Sequence, residues 1–244
     1  MIEVKNLRKT FGKVVAVDDV SFRAENGQVT GLLGPNGAGK TTTLRVLYTI
    51  LKPDSGTAAV DGHDVLRDPI AVQRRIGVLP DNHGLYPRLS ARENIRYYGR
   101  LHGLGGGALE AKIDELIKIL EMDDFSDRRT EGFSNGQRMK VAIARALVHD
   151  PDNVLLDEPT NGLDVMSTRS MRNFIRRLRD EGKCVLFSSH IMQEVSALCD
   201  HIVVINHGLV AASGSAETLK RETGRENLED AFVAAIGSEE GLQR

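Results

Sequence analysis

One short segment limits the folds open to this 244-residue chain. It reads Gly34-Pro35-Asn36-Gly37-Ala38-Gly39-Lys40-Thr41 and fits the pattern G-x-x-x-x-G-K-[ST] of a phosphate-binding loop. The apolar run Val29–Leu33 predicts a strand before the loop, and a helix is predicted from Lys40 to about Leu51 after it. Glycines let successive backbone N–H groups turn toward an anion, and the helix start adds partial positive charge. The segment therefore predicts a phosphate site at the end of a strand in an α/β fold.

The loop also predicts two individual roles. Lys40 is placed to reach the β- and γ-phosphates of a nucleoside triphosphate, and the Thr41 hydroxyl is placed to bind Mg²⁺. A glycine turn that matches the pattern by chance is the competing interpretation, and the strand and helix on either side disfavour it. The loop alone does not distinguish a kinase, a GTPase, a motor and a transporter subunit.

Composition narrows the possible partners. The net charge is -2, so no overall basic field attracts nucleic acid, and no nucleic-acid partner is expected. Cys184 and Cys199 stand among apolar neighbours and are predicted to be reduced and buried. The alternating start of the chain is typical of a strand, and no apolar run approaches the roughly 20 residues that span a bilayer. We therefore expect a cytoplasmic protein that reaches a membrane only through a partner.

The order of the predicted elements gives the fold class. Short strands up to Leu33, with Val14–Val17 and Ser21–Ala24 as separate strands, predict an antiparallel β-lobe. A helical lobe at about residues 83–150 is opened by the capping-box pattern at Ser90, and a second box, Ser134 with Gln137, begins its third helix. Strands and helices alternate from Val154 onward, as in a parallel sheet, and Gly208–Ala212 is predicted to form a short hairpin partner. The chain is thus predicted to be an α/β P-loop ATPase core, residues 1–215, with an N-terminal antiparallel β-lobe, an inserted helical lobe and a helical tail, residues 216–244.

A second site is predicted where the strand Val154-Leu155-Leu156 ends in Asp157-Glu158. Parallel sheets bind ligands at the carboxyl ends of their strands. Asp157 suits Mg²⁺, and Glu158 suits polarising an attacking water. Many strands end in acids without any such role, but a phosphate-binding loop upstream favours the functional interpretation.

Three further motifs follow in a fixed order: Phe133-Ser134-Asn135-Gly136-Gln137-Arg138, Asn161-Gly162-Leu163-Asp164 and Ser188-Ser189-His190. Together with the loop and the acidic strand they resemble the nucleotide-binding subunit of ABC transporters, from about residue 2 to about residue 215. The resemblance implies ATP and Mg²⁺ as cofactors, ATP hydrolysis, and a homodimer in the ATP state that binds two ATP molecules head to tail. It also implies a separate membrane permease as partner and a position at the inner face of the cell membrane.

The resemblance assigns roles to individual residues. Ser134, Gly136 and Gln137 match the signature motif, which contacts ATP held by the other subunit. Asp164 matches the acid of the D-loop at the dimer interface, and His190 matches the switch histidine that contacts the γ-phosphate beside the catalytic Glu158. The ATP-binding set also includes the loop and one aromatic residue that stacks on adenine: Phe11, Gly34, Pro35, Asn36, Gly37, Ala38, Gly39, Lys40, Thr41 and Thr42.

Two positions depart from the family pattern. Asp81 follows the strand Ile76–Leu79 where the family usually has Gln, and we expect its carboxylate to bind Mg²⁺ together with Thr41 and Asp157. Asn135 replaces the first glycine of the usual Ser-Gly-Gly-Gln signature. Both changes are expected to be tolerated.

The finer resemblance is to ABC-2 type exporters, and within them to the ATP-binding subunits of bacterial sodium-ion exporters. It is carried by Gly84–Pro87, Phe187–Val195 and Asn227–Phe232. Export of a drug, a lipid or a polysaccharide is an alternative, as is a soluble ABC ATPase outside transport. A P-loop kinase would not need Ser134 to Gln137, and a non-catalytic binding module would be expected to lack Glu158 or His190.

Overall fold

The computed structural model describes residues 1–82 and 84–237, and His83 and residues 238–244 lie outside the described residues. The described strands are β1 (Ile2–Phe11), β2 (Val14–Ala24), β3 (Val29–Leu33), β4 (Ser55–Val60), β5 (His63–Asp64), β6 (Ile76–Leu79), β7 (Asn153–Asp157), β8 (Cys184–Ser189), β9 (His201–Asn206) and β10 (Leu209–Gly214). The described helices are α1 (Lys40–Leu47), α2 (Pro69–Gln73), α3 (Ala91–Leu101), α4 (Gly106–Ile119), α5 (Asn135–Leu147), α6 (Val165–Asp180), α7 (Met192–Leu198), α8 (Ala216–Thr223) and α9 (Leu228–Ile236).

The predicted antiparallel β-lobe is a four-stranded sheet in the order β2-β1-β4-β5. Two separate strands were expected between Val14 and Ala24, and they are one strand, β2. Asp19 has a positive φ of 65°, and the pairing of β2 with β1 shifts register between Leu7 and Lys9. The irregularity is therefore absorbed as a bulge within a continuous strand and does not form a turn.

The second sheet has six strands in the order β10-β9-β3-β8-β7-β6. Its five strands from β9 to β6 pair in parallel, and β10 forms the predicted antiparallel hairpin with β9. In the parallel register, Leu33 pairs with Ser189 and Asp157 pairs with Ser188. Parallel pairing thus brings the phosphate-binding loop, the acidic strand end and the histidine that follows β8 to one edge of the sheet.

The helical lobe consists of α3, α4 and α5. Both predicted capping boxes are present: Ser90 caps α3 with Glu93, and Ser134 caps α5 with Gln137. Helix α1, by contrast, ends at Leu47 and not near Leu51, because Thr49 adopts a left-handed conformation with φ 63°. The short elements α2 and β5 are additions to the sequence prediction, and α8 lies within the predicted helical tail.

The last two helices pack against the parallel sheet. Leu219, Leu228, Phe232 and Ile236 are buried in the same apolar cluster as Val204 of β9. In residues 1–82 and 84–237, no helix has both the length and the apolar character needed to cross a bilayer. Both cysteines are free thiols, and burial raises the pKa of the Cys184 thiol to about 11.

Candidate nucleotide-binding site

A cavity of about 470 Å³ opens where β3, β7 and β8 end. Most of the residues that the sequence assigns to ATP binding and catalysis line it. The lining consists of Phe11, Val14, Val15, Ala16, Asn36, Gly37, Ala38, Gly39, Lys40, Thr41, Thr42, Asp81, Glu158, Asn161 and His190. One wall of the cavity thus comes from the antiparallel lobe, and its floor comes from the loop after β3.

The loop geometry is that of an anion site. Gly39 begins helix α1 with φ 108°, and a Cβ at this position would lie 2.5 Å from the carbonyl oxygen of Ala16. Only glycine satisfies both the backbone angle and the space. No side chain caps the start of helix α1, and the first residues of the helix, Lys40, Thr41 and Thr42, line the cavity, so its first N–H groups are available to an anion there.

Lys40 lies at the floor of the cavity and is only 5% exposed. Its ammonium group donates hydrogen bonds to the carbonyl oxygens of Gly34 (2.7 Å) and Pro35 (3.2 Å) and lies 3.5 Å from Glu158 Oε1. Burial lowers the pKa of Lys40, and the negative charge of Glu158 opposes that shift. A phosphate in the cavity would exchange these neutral oxygens for charged ones, which make stronger hydrogen bonds to an ammonium group.

Asp157 is the buried acid of the site, with 3% of its surface exposed. Its Oδ1 accepts hydrogen bonds from Ser188 Oγ (2.6 Å) and Thr41 Oγ1 (3.1 Å). Burial raises the pKa of Asp157, the two hydrogen bonds oppose the shift, and the charges of Glu158 and Asp81 add to it. Three carboxylates and a hydroxyl therefore converge, and such hard oxygen donors are the ligands that Mg²⁺ prefers.

Glu158 is held in an unusual conformation. Its φ is 49°, and its N–H donates a hydrogen bond to Ser188 Oγ (3.0 Å). Its Oε2 lies 2.9 Å from His190 Nδ1, which donates to the carboxylate. Left-handed backbone at a non-glycine residue costs energy and often marks a functional site. Here it turns the carboxylate from the end of β7 toward the cavity and toward His190.

The far end of the cavity offers an apolar surface. Phe11 is 47% exposed, and Val14 and Val15 beside it are also exposed. Lys9 Nζ lies 5.5 Å from the centroid of the Phe11 ring. An exposed aromatic ring flanked by two valines suits the flat face of a purine base, so the geometry agrees with the role that the resemblance implies for Phe11.

The signature residues lie elsewhere. Ser134 accepts a hydrogen bond from the N–H of Gln137 (3.2 Å), and the Gln137 side chain accepts one from the N–H of Ser134 (3.1 Å). Asp164 caps α6 in the same way, by accepting a hydrogen bond from the N–H of Ser167. None of these residues, nor Gly136, lines the cavity around Lys40. One chain therefore presents two separate half-sites.

Comparison with known proteins decides the family. Residues 17–161, more than half of the chain, match the family described as ABC transporter. Over 224 residues the chain is 49% identical to the ABC transporter ATP-binding protein NatA of Bacillus subtilis (strain 168), with 91% of each chain covered. The chain belongs to the ABC transporter family.

Two further relatives of this ABC subunit are informative. It is 39% identical over 228 residues to the daunorubicin resistance ATP-binding protein DrrA3 of Streptomyces coeruleorubidus, with 93% of this chain and 72% of that chain covered. A dimeric ATP-binding cassette, solved in a post-hydrolysis state with ADP and Pi, superposes with a TM-score of 0.80 at 26% identity, over 88% of this chain and 98% of that chain. The chain is the ATP-binding ATPase subunit of an ABC exporter.

Sequence reasoning about this ABC ATPase missed several residues that the site uses. Ser188 is the main one: it stands in the motif Ser188-Ser189-His190 but was given no role, and it joins Asp157 to the backbone of Glu158 through one hydroxyl. The pairing of Asp157 with Ser188 in adjacent parallel strands is the signal that would have found it. Asn161 likewise stands in a quoted motif without a role, whereas Val14 and Val15 gave no signal, because their place in the cavity depends on how the lobes pack together.

Proposed function

We propose that this subunit drives the export of sodium ions through a separate ABC-2 type membrane permease. Two copies would close head to tail on two ATP molecules, each bound by the loop of one copy and the signature residues of the other. The observation that carries this head-to-tail arrangement is the separation of the two half-sites, since neither Ser134 nor Gly136 lines the cavity around Lys40. A second chain supplies what the cavity lacks.

The residues present fit Mg²⁺-ATP. Thr41, Asp157 and Asp81 would hold the metal ion, which when bound neutralises phosphate charge and orients the triphosphate. Lys40 binds the β- and γ-phosphate oxygens. Glu158 orients the attacking water and accepts its proton, and His190 holds the Glu158 carboxylate and donates to developing charge on the γ-phosphate.

A second surface suits the permease. A cleft of about 610 Å³ separates the ATP-binding core from the helical lobe. Asp81 and Asn161 line both this cleft and the ATP cavity, so a segment bound in the cleft reaches residues of the ATP site. Leu85, Leu163 and Met139 give the cleft an apolar part, and Glu131 and Arg138 give it charge. A permease bound here would keep this subunit peripheral at the inner face of the cell membrane.

Sodium as cargo rests on likeness. Sodium-ion export subunits are resembled by three segments: Gly84–Pro87, Phe187–Val195 and Asn227–Phe232. A drug as cargo is disfavoured, because the identity to the drug-resistance relative DrrA3 (39%) is lower than the identity to NatA (49%). Nothing in the ATP site selects a cargo. Export of a drug, a lipid or a polysaccharide is the alternative that the test below separates.

The test expresses the chain with its membrane partner in a salt-sensitive host and measures growth and intracellular Na⁺. We expect higher Na⁺ tolerance and lower intracellular Na⁺ than in a strain with the partner alone. Lys40→Ala in the same pair is the matched control, and it should behave like the partner-only strain because it removes the cation that binds the phosphates. Equal Na⁺ in all three strains would contradict sodium export and leave the ATPase intact.

A further inference from the structure

The signature helix comes close to the start of helix α6 at Gly136. A Cβ on Gly136 would lie 3.0 Å from Ser167 Oγ and 3.8 Å from Ser167 Cβ. No other atom outside α5 comes within 4 Å in the described part of the chain. The separation of 3.0 Å is shorter than an ordinary contact between carbon and oxygen. Gly136 and Ser167 therefore fit each other closely.

Ser167 makes two hydrogen bonds to Asp164, the acid of the D-loop. Its N–H donates to Asp164 Oδ1 (2.8 Å), and its hydroxyl donates to Asp164 Oδ2 (3.0 Å). The two segments also approach each other at Gly162, where a Cβ would be 3.8 Å from Asn135 Nδ2. The start of α5 thus rests on the segment that holds Asp164.

The same segment begins at the catalytic acid. A turn joins Glu158 to Asn161 through a hydrogen bond from the Asn161 N–H to the Glu158 carbonyl (3.1 Å), and a second turn joins Thr160 to Leu163 (3.2 Å). The two turns overlap and cover Glu158 to Leu163, and Asp164 follows directly. This short, hydrogen-bonded segment connects the acid at the end of β7 to the D-loop acid.

We propose that Ser167 is a positioning residue that sets the signature helix against the D-loop of its own subunit. This proposal rests on the head-to-tail dimer of the proposed function. In that dimer, Glu158 acts on the ATP of its own loop, while Ser134 and Gly136 contact the ATP of the other subunit. We call the close approach of Gly136 and Ser167 the joint. It connects the two ATP sites of the dimer within one chain.

The close approach of Ser167 determines whether a methyl group at Gly136 stabilises or destabilises the protein. Alanine is favoured over glycine inside a helix, so Gly136→Ala would stabilise α5 if space allowed. Ser167 Oγ occupies that space, and the added methyl group would push α5 away from α6. Ser167→Ala removes the oxygen and leaves only the contact at 3.8 Å, which is ordinary van der Waals contact.

The first experiment measures thermal unfolding of six proteins without nucleotide: wild type, Ser167→Ala and Ser170→Ala, each with and without Gly136→Ala. Gly136→Ala should lower or leave unchanged the Tm of the wild type, and should raise the Tm of Ser167→Ala by about 2 °C or more. Ser170→Ala is the matched control, an exposed serine of the same helix outside the contact. The same response to Gly136→Ala in all three backgrounds would contradict the joint.

The second experiment measures ATP-driven dimerisation in a Glu158→Gln background by light scattering against ATP concentration. Gly136→Ala should raise the ATP concentration at half-maximal dimerisation about tenfold or more, and adding Ser167→Ala should restore it. Binding of a fluorescent ATP analogue to the monomer should not change. Failure of the double variant to recover would overturn the proposal, because the glycine would then serve only the ATP of the other subunit. If Glu158→Gln alone does not dimerise, both the head-to-tail dimer and the proposed link between the two ATP sites are contradicted. The thermal unfolding series still decides whether Gly136 and Ser167 constrain each other.

Discussion

At the scale of single residues, the site is a balance of opposed charges. The charges of Asp157 and Glu158 act on one buried cation, Lys40, and Asp81 adds negative charge near Asp157; the shifted pKa values of Asp157 and Lys40 both follow first from burial. The hydroxyls of Ser188 and Thr41 partly compensate the buried Asp157. An excess of negative charge favours a divalent cation together with the triphosphate over the triphosphate alone.

Asp81 tests this charge balance, because it stands where the family usually has Gln. Asp81→Gln keeps an oxygen donor and removes one negative charge, so it should preserve Mg²⁺-dependent hydrolysis in the assembled transporter. Asp81→Ala removes the donor and should lower transport by about tenfold or more while changing ATP binding less. Transport assays and titration with Mg-ATP measure the two effects, with Asn82→Ala as the neighbouring control. Wild-type transport in both Asp81 variants would make Asp81 a plain loop residue.

At the scale of elements, the ends of α3 and α5 are joined by two stacked imidazole rings. His102 and His149 lie 3.6 Å apart between ring centroids with an interplanar angle of 5°. His149 Nε2 donates to the carbonyl oxygen of Ile76 (3.0 Å). Burial and then the neighbouring His102 lower the pKa of His149 to about 4, so the stack requires neutral rings.

The stack predicts acid sensitivity of the helical lobe. An imidazole whose folded pKa lies below its unfolded value of 6.5 contributes its full stability above pH 6.5 and loses it as the pH falls toward 4. Between pH 7 and pH 5 we expect a loss of about 1 kcal/mol, because solvent reaches part of the ring and screens the effect. His149→Gln keeps a donor for Ile76 and should flatten this slope in denaturant unfolding, whereas His63→Gln should not. An unchanged slope in His149→Gln would contradict this account of the stack.

Elements with local signals were predicted from the sequence, and elements decided by packing were not. The capping boxes at Ser90 and Ser134 are confirmed because each depends on residues within one turn. The end of α1 at Leu47 and the continuous β2 were predicted wrongly, because a left-handed Thr49 and a bulge near Asp19 carry no strong sequence signal. Helix α2 was missed although Pro69 at its first turn is a typical helix start.

At the scale of the whole molecule, the order of the motifs was enough to predict the family, the ATPase core and the two lobes. The order of motifs does not reveal which surfaces touch. The closeness of Gly136 and Ser167, and the separation of the signature residues from the cavity around Lys40, arise from how the helical lobe packs on the core. Such packing depends on contacts between residues distant in sequence, which a single sequence does not display.

The central claim is that ATP joins two copies of this chain and that hydrolysis at Glu158 releases them. Glu158→Gln keeps the shape of the side chain and removes its basicity, so it should bind Mg-ATP and lose on the order of 10²-fold or more in turnover. Light scattering on a sizing column measures its mass with Mg-ATP and with ADP. We predict a dimer with Mg-ATP and a monomer with ADP. A Glu158→Gln protein that binds Mg-ATP at saturation and remains monomeric would contradict the account.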